Sequence, residues 1–268
     1  MTQEERRIYL IQALQKEMPE YRDYTIPINE QDKKDLLRAL FNIRLPAPAS
    51  STFYEVQDAY LSQRAIEKGI TKIDDLKPVE TDERLYLWQG DITTLASDAI
   101  INAANNQMTG CYRPLHNCED NIVGSFAGCQ LRYDTYLKME EMKEKYGQEY
   151  EQPMAVPMIT SAYNLPSKYI IHVVGPIVYP YLMNKHKIQL AACYRASLDL
   201  AAQNGCKNIA FCCISTGVFL FPQDKAAEIA VKTVKEWLDE HPNNSLKQVI
   251  FNVFKDSDRK IYQNLLCK

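Results

Sequence analysis

The chain has 268 residues, 46% of them apolar and 24% charged, which is enough to bury a core and to form one or two domains. Its formal net charge of −3 excludes the general positive field that grips nucleic acid. No apolar run approaches the ~18 residues that a membrane-spanning helix needs, and the N-terminus lacks a signal-peptide core. We therefore expect a cytoplasmic protein with neither a nucleic-acid nor a membrane partner.

Residues 1–80 are predicted to form a helical N-terminal extension. Apolar side chains recur at helical spacing over residues 9–18 and again over residues 36–41. A third helix is predicted over residues 53–68, where Gly69 ends it. Nothing in this segment indicates a residue that takes part in chemistry.

From about residue 81 the pattern changes to alternating strands and helices. Strands are predicted over residues 85–88, 99–103, 169–174, 209–214 and 248–254, and helices over about 118–139, 188–203 and 222–240. A last helix is predicted to be capped by Asp256 or Ser257. This alternation predicts an α/β domain over residues 81–268, with helices on both faces of a mixed or parallel sheet. Ligands of such folds bind beyond the carboxyl ends of the strands.

Two polar motifs follow predicted strands. In Gly90-Asp91-Ile92-Thr93 the glycine permits a tight turn and Asp91 could accept a hydrogen bond from a purine amino group. The residues alone favour the alternative, an ordinary turn with Asp91 as a helix cap. Asn102-Ala103-Ala104-Asn105-Asn106 combines small residues with amides that could hold ribose hydroxyls, and a plain turn explains it equally well.

Two further features belong to the later predicted strands, a loop after one of them and a histidine inside another. Residues 214–222 lie between a strand and a helix, so their backbone N–H groups could bind an anion, with Gly217 allowing close approach. The alternative is a connecting loop with an apolar plug. His172 lies inside an apolar strand, which favours a core histidine hydrogen-bonded to the backbone over a catalytic one.

One short loop, residues 110–118, carries Cys111, His116 and Cys118. Thiolate sulfur and imidazole nitrogen suit Zn²⁺, and three protein ligands would leave one position open, as in a catalytic zinc site. Two incidental thiols and a polar histidine are the alternative. Cys129 is the spare donor for a closed site, but its spacing from neighbouring apolar residues predicts that it faces the core.

Together these motifs resemble the macrodomain family of ADP-ribose-binding modules. Four segments occur in the family's order, residues 90–93, 101–105, 171–176 and 215–219, and the resemblance covers residues 82–268. Many macrodomains have a glycine-rich loop at the position of residues 110–118. The loop of this chain is instead similar to that of the zinc-dependent branch of macrodomains from bacterial and fungal microbes. A helical N-terminal extension also occurs in that branch. Another departure is Leu220, where many macrodomains have Gly.

The resemblance implies a three-layer α/β/α macrodomain fold with a mixed central sheet, and one Zn²⁺ per chain. It also implies roles by position. Asp91 would bind the adenine amino group, Ile92 would line that pocket, and Phe254 would stack on adenine. The backbone of Ser215, Thr216, Gly217, Val218 and Phe219 would cradle the diphosphate. Asn102 and Asn105 would face the distal ribose, beside a Zn²⁺ on Cys111, His116 and Cys118.

The activity that the resemblance implies is removal of mono-ADP-ribose from protein side chains, carboxylate esters in particular. Asn105, His116 and Asp120 are the catalytic candidates. Asp120 could position a water or act as general base, or it could simply be a first-turn helix carboxylate. The alternatives are a reader that binds ADP-ribose without turnover, and a phosphoesterase or O-acetyl-ADP-ribose deacetylase that uses the same cleft. Implied partners are mono-ADP-ribosylated protein and, in some bacteria, a sirtuin-type ADP-ribosyltransferase and a lipoyl-carrier protein related to glycine-cleavage H.

Overall fold

The computed structural model describes residues 1–267, which divide into two compact units. The first unit comprises Met1–Gly69, Met108–Tyr150 and Ala162–Leu165. The second holds the rest of the described chain, beginning at Ile70. The first unit therefore joins the N-terminal helices to a later segment that carries residues 110–118.

The first unit is helical. Its helices are α1 (Gln3–Glu17), α2 (Glu30–Ile43), α3 (Ser51–Lys68), α4 (Glu119–Ala127) and α5 (Cys129–Tyr146). The three predicted N-terminal helices are confirmed, and each begins at a side chain that accepts backbone N–H groups: Thr2, Asn29 and Ser50. Their apolar faces form one buried cluster that contains Leu10, Leu14, Leu37, Leu40, Phe41, Phe53 and Tyr60. The helical spacing in the sequence thus marks the core of this unit correctly.

A single helix predicted over residues 118–139 is instead two helices that meet at Gly128. The backbone of Gly128 has φ +102, in the left-handed region that side chains avoid. A Cβ there would also lie only 2.7 Å from the Gln57 amide nitrogen. The chain therefore turns at this glycine. Cys129, directly after the turn, lies in the buried apolar cluster, which confirms that it faces the core.

The described part of the second unit contains nine strands and three α-helices. The strands are β1 (Thr71–Lys72), β2 (Pro78–Val79), β3 (Asp82–Gln89), β4 (Leu95–Ala96), β5 (Ala99–Ala104), β6 (Met158–Ser161), β7 (Tyr169–Val174), β8 (Asn208–Phe211) and β9 (Gln248–Val253). The helices are α6 (Asn184–Gln203), α7 (Gln223–Glu240) and α8 (Asp256–Leu266). The predicted α/β class is confirmed. Helix α8 begins at Asp256, but no side chain caps it, so the predicted Asp or Ser cap is wrong.

Seven strands form one mixed sheet in the order β2-β3-β9-β8-β5-β7-β6. The five inner strands run parallel, and the two edge strands, β2 and β6, are antiparallel to their neighbours. Four of the inner strands, β5, β7, β8 and β9, are largely buried, as expected for a parallel sheet covered by helices, whereas β3 buries only Leu85 and Tyr86. Strand β6 was not predicted, because it is short and only one of its four residues is buried.

Parallel strands bring their carboxyl ends to one edge of the sheet. Residues 90–93 follow β3, Asn105 follows β5, Gly175 follows β7, residues 212–219 follow β8 and Phe254 follows β9. The predicted nucleotide-binding segments therefore share this edge, where ligands of α/β folds bind. Among residues 1–267, no helix combines the length and the apolar composition that crossing a membrane requires.

Candidate functional site

The turn after β3 is fixed by hydrogen bonds to β9. The backbone N–H of Gly90 donates to the Val253 carbonyl over 3.0 Å, and the Asn252 amide donates to the Gly90 carbonyl over 3.0 Å. Asp91 Oδ1 accepts from the N–H of Thr93 over 3.0 Å and so caps the short 3₁₀ helix Ile92–Thr94. The capping interpretation of Asp91 is therefore confirmed, and its adenine role stays a prediction.

The two residues predicted to contact adenine with Asp91 differ in exposure. Ile92 is buried, whereas Phe254 has 77% of its surface exposed at the carboxyl end of β9. An exposed ring at a ligand-binding edge is suited to stacking on a base. Both roles nevertheless stay predictions.

Asn102 belongs to a buried polar chain across three strands. Its Nδ2 lies 3.0 Å from His172 Nδ1, and His172 Nε2 lies 3.0 Å from Thr160 Oγ1. Since an amide nitrogen only donates, Nδ1 accepts and the ring carries its proton on Nε2, which donates to Thr160. His172 is thus a core histidine, as predicted, but its partners are side chains and not backbone. This series of hydrogen-bonded side chains could not be predicted in full, because Thr160 lies on the unpredicted strand β6. The role of Asn102 at a ribose stays a prediction.

Burial makes His172 a source of acid sensitivity. It lowers the pKa of this imidazole to about 3, against roughly 6.5 in an unfolded chain. Between these values the unfolded state binds the extra proton, so stability falls as the pH drops below about 6.5. We expect His172→Gln to reduce this slope by up to ~1.4 kcal/mol per pH unit. Urea unfolding of the unsubstituted and substituted chains between pH 7 and pH 4 gives the free energy of unfolding at each pH. The same pH dependence in both chains would contradict the prediction.

Asn105 and the loop of residues 215–219, called here the diphosphate loop, lie at the same edge. Asn105 Oδ1 accepts from the Gln107 N–H over 2.9 Å and shapes the turn after β5. Within the described chain, the backbone N–H groups of Gly217, Val218 and Phe219 donate to no acceptor. Three consecutive available N–H groups form a concavity suited to an anion.

The diphosphate loop is held from both sides. The N–H of Phe221 donates to the Ser215 carbonyl over 3.0 Å, and the N–H of Val178 donates to the Phe219 carbonyl over 2.9 Å. Ser215 is buried with φ +66, and its hydroxyl lies against Gly175. A non-glycine residue in the left-handed region is strained, and such strain persists only where the surroundings fix it.

Cys111, His116 and Cys118, called here the metal trio, lie together in the first unit. Their donor atoms lie within 4.8 Å of one another, and Cys111 Sγ is 3.6 Å from His116 Nδ1. In tetrahedral zinc sites with Zn–S of about 2.3 Å and Zn–N of about 2.0–2.1 Å, donors lie roughly 3.5–3.8 Å apart. The trio therefore fits Zn²⁺ after a small contraction.

The trio offers three donors and not four. Among residues 1–267 it is the one group of three Cys, His, Asp or Glu side chains close enough to share an ion. Cys129, the spare donor, lies in the apolar cluster. Burial raises the pKa of the Cys118 thiol, so a cation beside it is needed to favour the thiolate that ligates metal. The three side chains of the trio could therefore hold one metal ion.

Asp120 lies in the first turn of α4, directly after the trio, and is 8% exposed. A carboxylate in this position stabilises the positive end of the helix. That placement agrees with the structural alternative, and the general-base role stays a prediction.

Comparison with known proteins identifies the class. Residues 101–230 match the Macro domain family. A protein-ADP-ribose hydrolase of Treponema medium is 48% identical over 268 residues, covering 99% of this chain and 100% of that protein. A protein-ADP-ribose hydrolase of Staphylococcus aureus strain MRSA252 is 43% identical, covering 95% of this chain and 92% of that protein. The chain belongs to the macro domain family.

The fold agrees with that assignment. The crystal structure of a Trypanosoma brucei macrodomain in complex with ADP-ribose matches with a TM-score of 0.63 at 27% identity. The match covers 85% of this chain and 94% of the trypanosomal chain. The macrodomain fold predicted from the ordered motifs is thereby confirmed.

Proposed function

We propose that this chain is a zinc-dependent hydrolase that removes mono-ADP-ribose from modified protein side chains, carboxylate esters in particular. The observation that carries the proposal is the metal trio, whose three donors lie within 4.8 Å of one another. It occurs in a chain 48% identical to a protein named for hydrolysis of protein-linked ADP-ribose. A module that only bound ADP-ribose would have no need of a three-donor metal site.

The second unit would hold the nucleotide. The N–H groups of Gly217, Val218 and Phe219 would donate to the diphosphate, and Asn102 and Asn105 would bind the distal ribose. At the other end, Asp91 would accept from the adenine amino group, while Ile92 lines the pocket and Phe254 stacks on the ring. Such fixed orientation can supply several kcal/mol of the barrier, because the bound sugar need not search for its reactive geometry.

The metal trio would hold Zn²⁺, which when bound supplies a Lewis acid with one open coordination position. Asp120 would hold a water and accept its proton as the water oxygen attacks the anomeric carbon. The bond from that carbon to the side-chain oxygen breaks, and the side chain leaves as a carboxylate. The products are free ADP-ribose and the unmodified protein. We place this activity in the cytoplasm, and the sirtuin-type and lipoyl-carrier partners remain predictions of the resemblance.

The experiment is release of ADP-ribose from a carboxylate-linked mono-ADP-ribosylated protein by the full chain. Three preparations are compared: as purified, treated with a zinc chelator, and chelated and then given Zn²⁺. We expect release from the first, loss in the second and recovery in the third. Tight calorimetric binding of ADP-ribose without release would favour the reader. Release of acetate from O-acetyl-ADP-ribose alone would favour the deacetylase.

A further inference from the structure

Helix α2, in the segment without predicted chemistry, binds the backbone of the loop that carries the metal trio. Arg38 Nη2 donates to the His116 carbonyl over 2.9 Å. Asn42 Oδ1 accepts from the N–H of Leu115 over 3.0 Å. Residues 38 and 42 lie one helical turn apart, so both side chains lie on the same face of α2. Together they hold the main chain on both sides of the Leu115–His116 peptide bond.

The same two side chains bind helix α4, which begins directly after Cys118. Arg38 Nη2 also donates to Asn121 Oδ1 over 2.8 Å, and Asn42 Nδ2 donates to Ser125 Oγ over 2.8 Å. Asn121 Nδ2 in turn donates to the Arg113 carbonyl over 2.9 Å. Asn42, Asn121 and Ser125 are almost fully buried. A buried network of this kind is costly to break, because each lost bond leaves a polar group without water.

The loop needs such support, since it contains no helix or strand and includes a strained residue. Leu115 has φ +56, a conformation that costs a non-glycine residue of order 1–3 kcal/mol. Its side chain is 39% exposed, so packing alone does not fix it. The N–H of His116 donates to the Arg113 carbonyl across this turn over 3.2 Å, and the N–H of Leu115 donates to Asn42 on helix α2. The adjacent residue is the ligand His116.

Arg132 ties the other end of the loop to the end of α2. Its guanidinium donates to the carbonyls of Thr109, Asn42 and Arg44 over 2.8, 2.8 and 2.6 Å. It also lies over the Tyr112 ring, 4.3 Å from the ring centre. The loop is therefore fixed at its start by Arg132 and at His116 by α2.

We propose that helix α2 is a working part of the metal site, and that Arg38 and Asn42 are positioning residues which set where the His116 imidazole lies relative to the two thiols. This inference rests on the metal proposal above. It gives helix α2 a specific role: it holds a metal-binding loop that has no regular structure of its own. Substituting side chains that hold metal ligands in place typically lowers metal affinity by roughly 10- to 100-fold.

The test measures metal binding and not activity. Zn²⁺ affinity of the full chain is determined by competition with a chelating indicator, and the visible absorption of the Co²⁺-loaded chain reports ligand geometry. We expect Arg38→Gln and Asn42→Ala to weaken Zn²⁺ binding by roughly 10- to 100-fold and to shift the Co²⁺ bands. Asn42→Asp keeps the oxygen that accepts from Leu115, so it should retain affinity better than Asn42→Ala while losing the bond to Ser125.

Arg44→Gln is the matched control. Arg44 is as buried as Asn42, but its side chain binds Glu17 and the carbonyls of Ala47 and Pro48 and makes no hydrogen bond to the metal loop. It should lower the unfolding temperature without changing Zn²⁺ affinity. Wild-type affinity in Arg38→Gln and Asn42→Ala, or equal losses in all three variants, would overturn the inference. An unsubstituted chain that binds no Zn²⁺ would overturn the metal proposal as well, whereas one that binds Zn²⁺ without turnover would overturn only the hydrolase.

Discussion

His116→Ala is expected to lower the rate of ADP-ribose release by at least about 10³-fold. A bound metal supplies several kcal/mol of transition-state stabilisation, and each ~1.4 kcal/mol is a factor of ten in rate. The substitution removes the nitrogen donor of the trio, and burial raises the pKa of the Cys118 thiol, which disfavours the thiolate that remains to bind the metal. Two sulfur donors alone would not keep Zn²⁺ bound at the protein concentrations used in a rate assay. Initial rates on a mono-ADP-ribosylated protein, with the zinc content of each preparation, measure the effect.

His241→Ala is the control for this experiment. His241 ends helix α7 in the second unit, where its ring stacks on Trp237 and bonds to the Trp237 carbonyl. It should bind zinc and release ADP-ribose like the unsubstituted chain. Full activity of His116→Ala at undiminished zinc content would show that the imidazole is not a functional ligand.

Gly175→Ala is expected to destabilise the fold and to abolish ADP-ribose binding. An added Cβ would lie 2.1 Å from the Ser215 hydroxyl and 2.9 Å from the Ile214 side chain, far inside contact distance. Both neighbours are buried, so the diphosphate loop itself would have to move. Overpacking of this kind costs roughly 1–3 kcal/mol or more. Urea unfolding gives the loss of stability, and calorimetry with ADP-ribose gives the loss of affinity.

Gly217→Ala, in the same loop, separates stability from binding. A Cβ at Gly217 would meet nothing within 4 Å, so the fold should tolerate it. The methyl group would instead occupy the space beside the available N–H groups, where the diphosphate is proposed to bind. We expect unchanged unfolding and clearly weaker ADP-ribose binding. Wild-type affinity in this variant would mean that the anion binds elsewhere, and wild-type stability of Gly175→Ala would contradict the packing argument.

Leu220 shows how the loop keeps its shape without the glycine of many macrodomains. Its φ is +59, so this position does require the left-handed conformation in which glycine is at ease. Its side chain is 63% exposed, so solvent and not the protein interior surrounds most of it. Its N–H donates to the Gly217 carbonyl over 3.1 Å. The leucine bears a strain of order 1–2 kcal/mol, and the turn is retained.

The fold was predictable where the pattern of neighbouring residues along the chain indicates which side chains are buried. The uninterrupted apolar run 169–174 is strand β7 at the predicted bounds, and the apolar periodicity of residues 9–18 and 36–41 lies in the helical core. The break at Gly128 was missed, because a glycine within apolar periodicity is also compatible with a continuous helix. The short edge strand β6 has too few buried residues to produce a pattern.

The candidate site was predictable as a set of residues but not as a network. The spacing of the metal trio is local, and its donors do lie together. Its supporting side chains, Arg38 and Asn42, lie 78 and 73 positions before the loop residues that they bind, so no local pattern connects them with it. For the same reason the pairing of Asn102 with His172 arises from the register of β5 against β7 and not from either motif alone.

Three side chains of this chain are proposed to hold a zinc ion with one position left for substrate. Anomalous diffraction at the zinc edge, from crystals of the full chain grown with ADP-ribose, tests it most directly. We predict a single peak about 2.3 Å from the Cys111 and Cys118 sulfurs and about 2.0–2.1 Å from a His116 nitrogen, with no fourth protein donor. A map without a peak at the trio, or a peak enclosed by four protein ligands, would contradict the account.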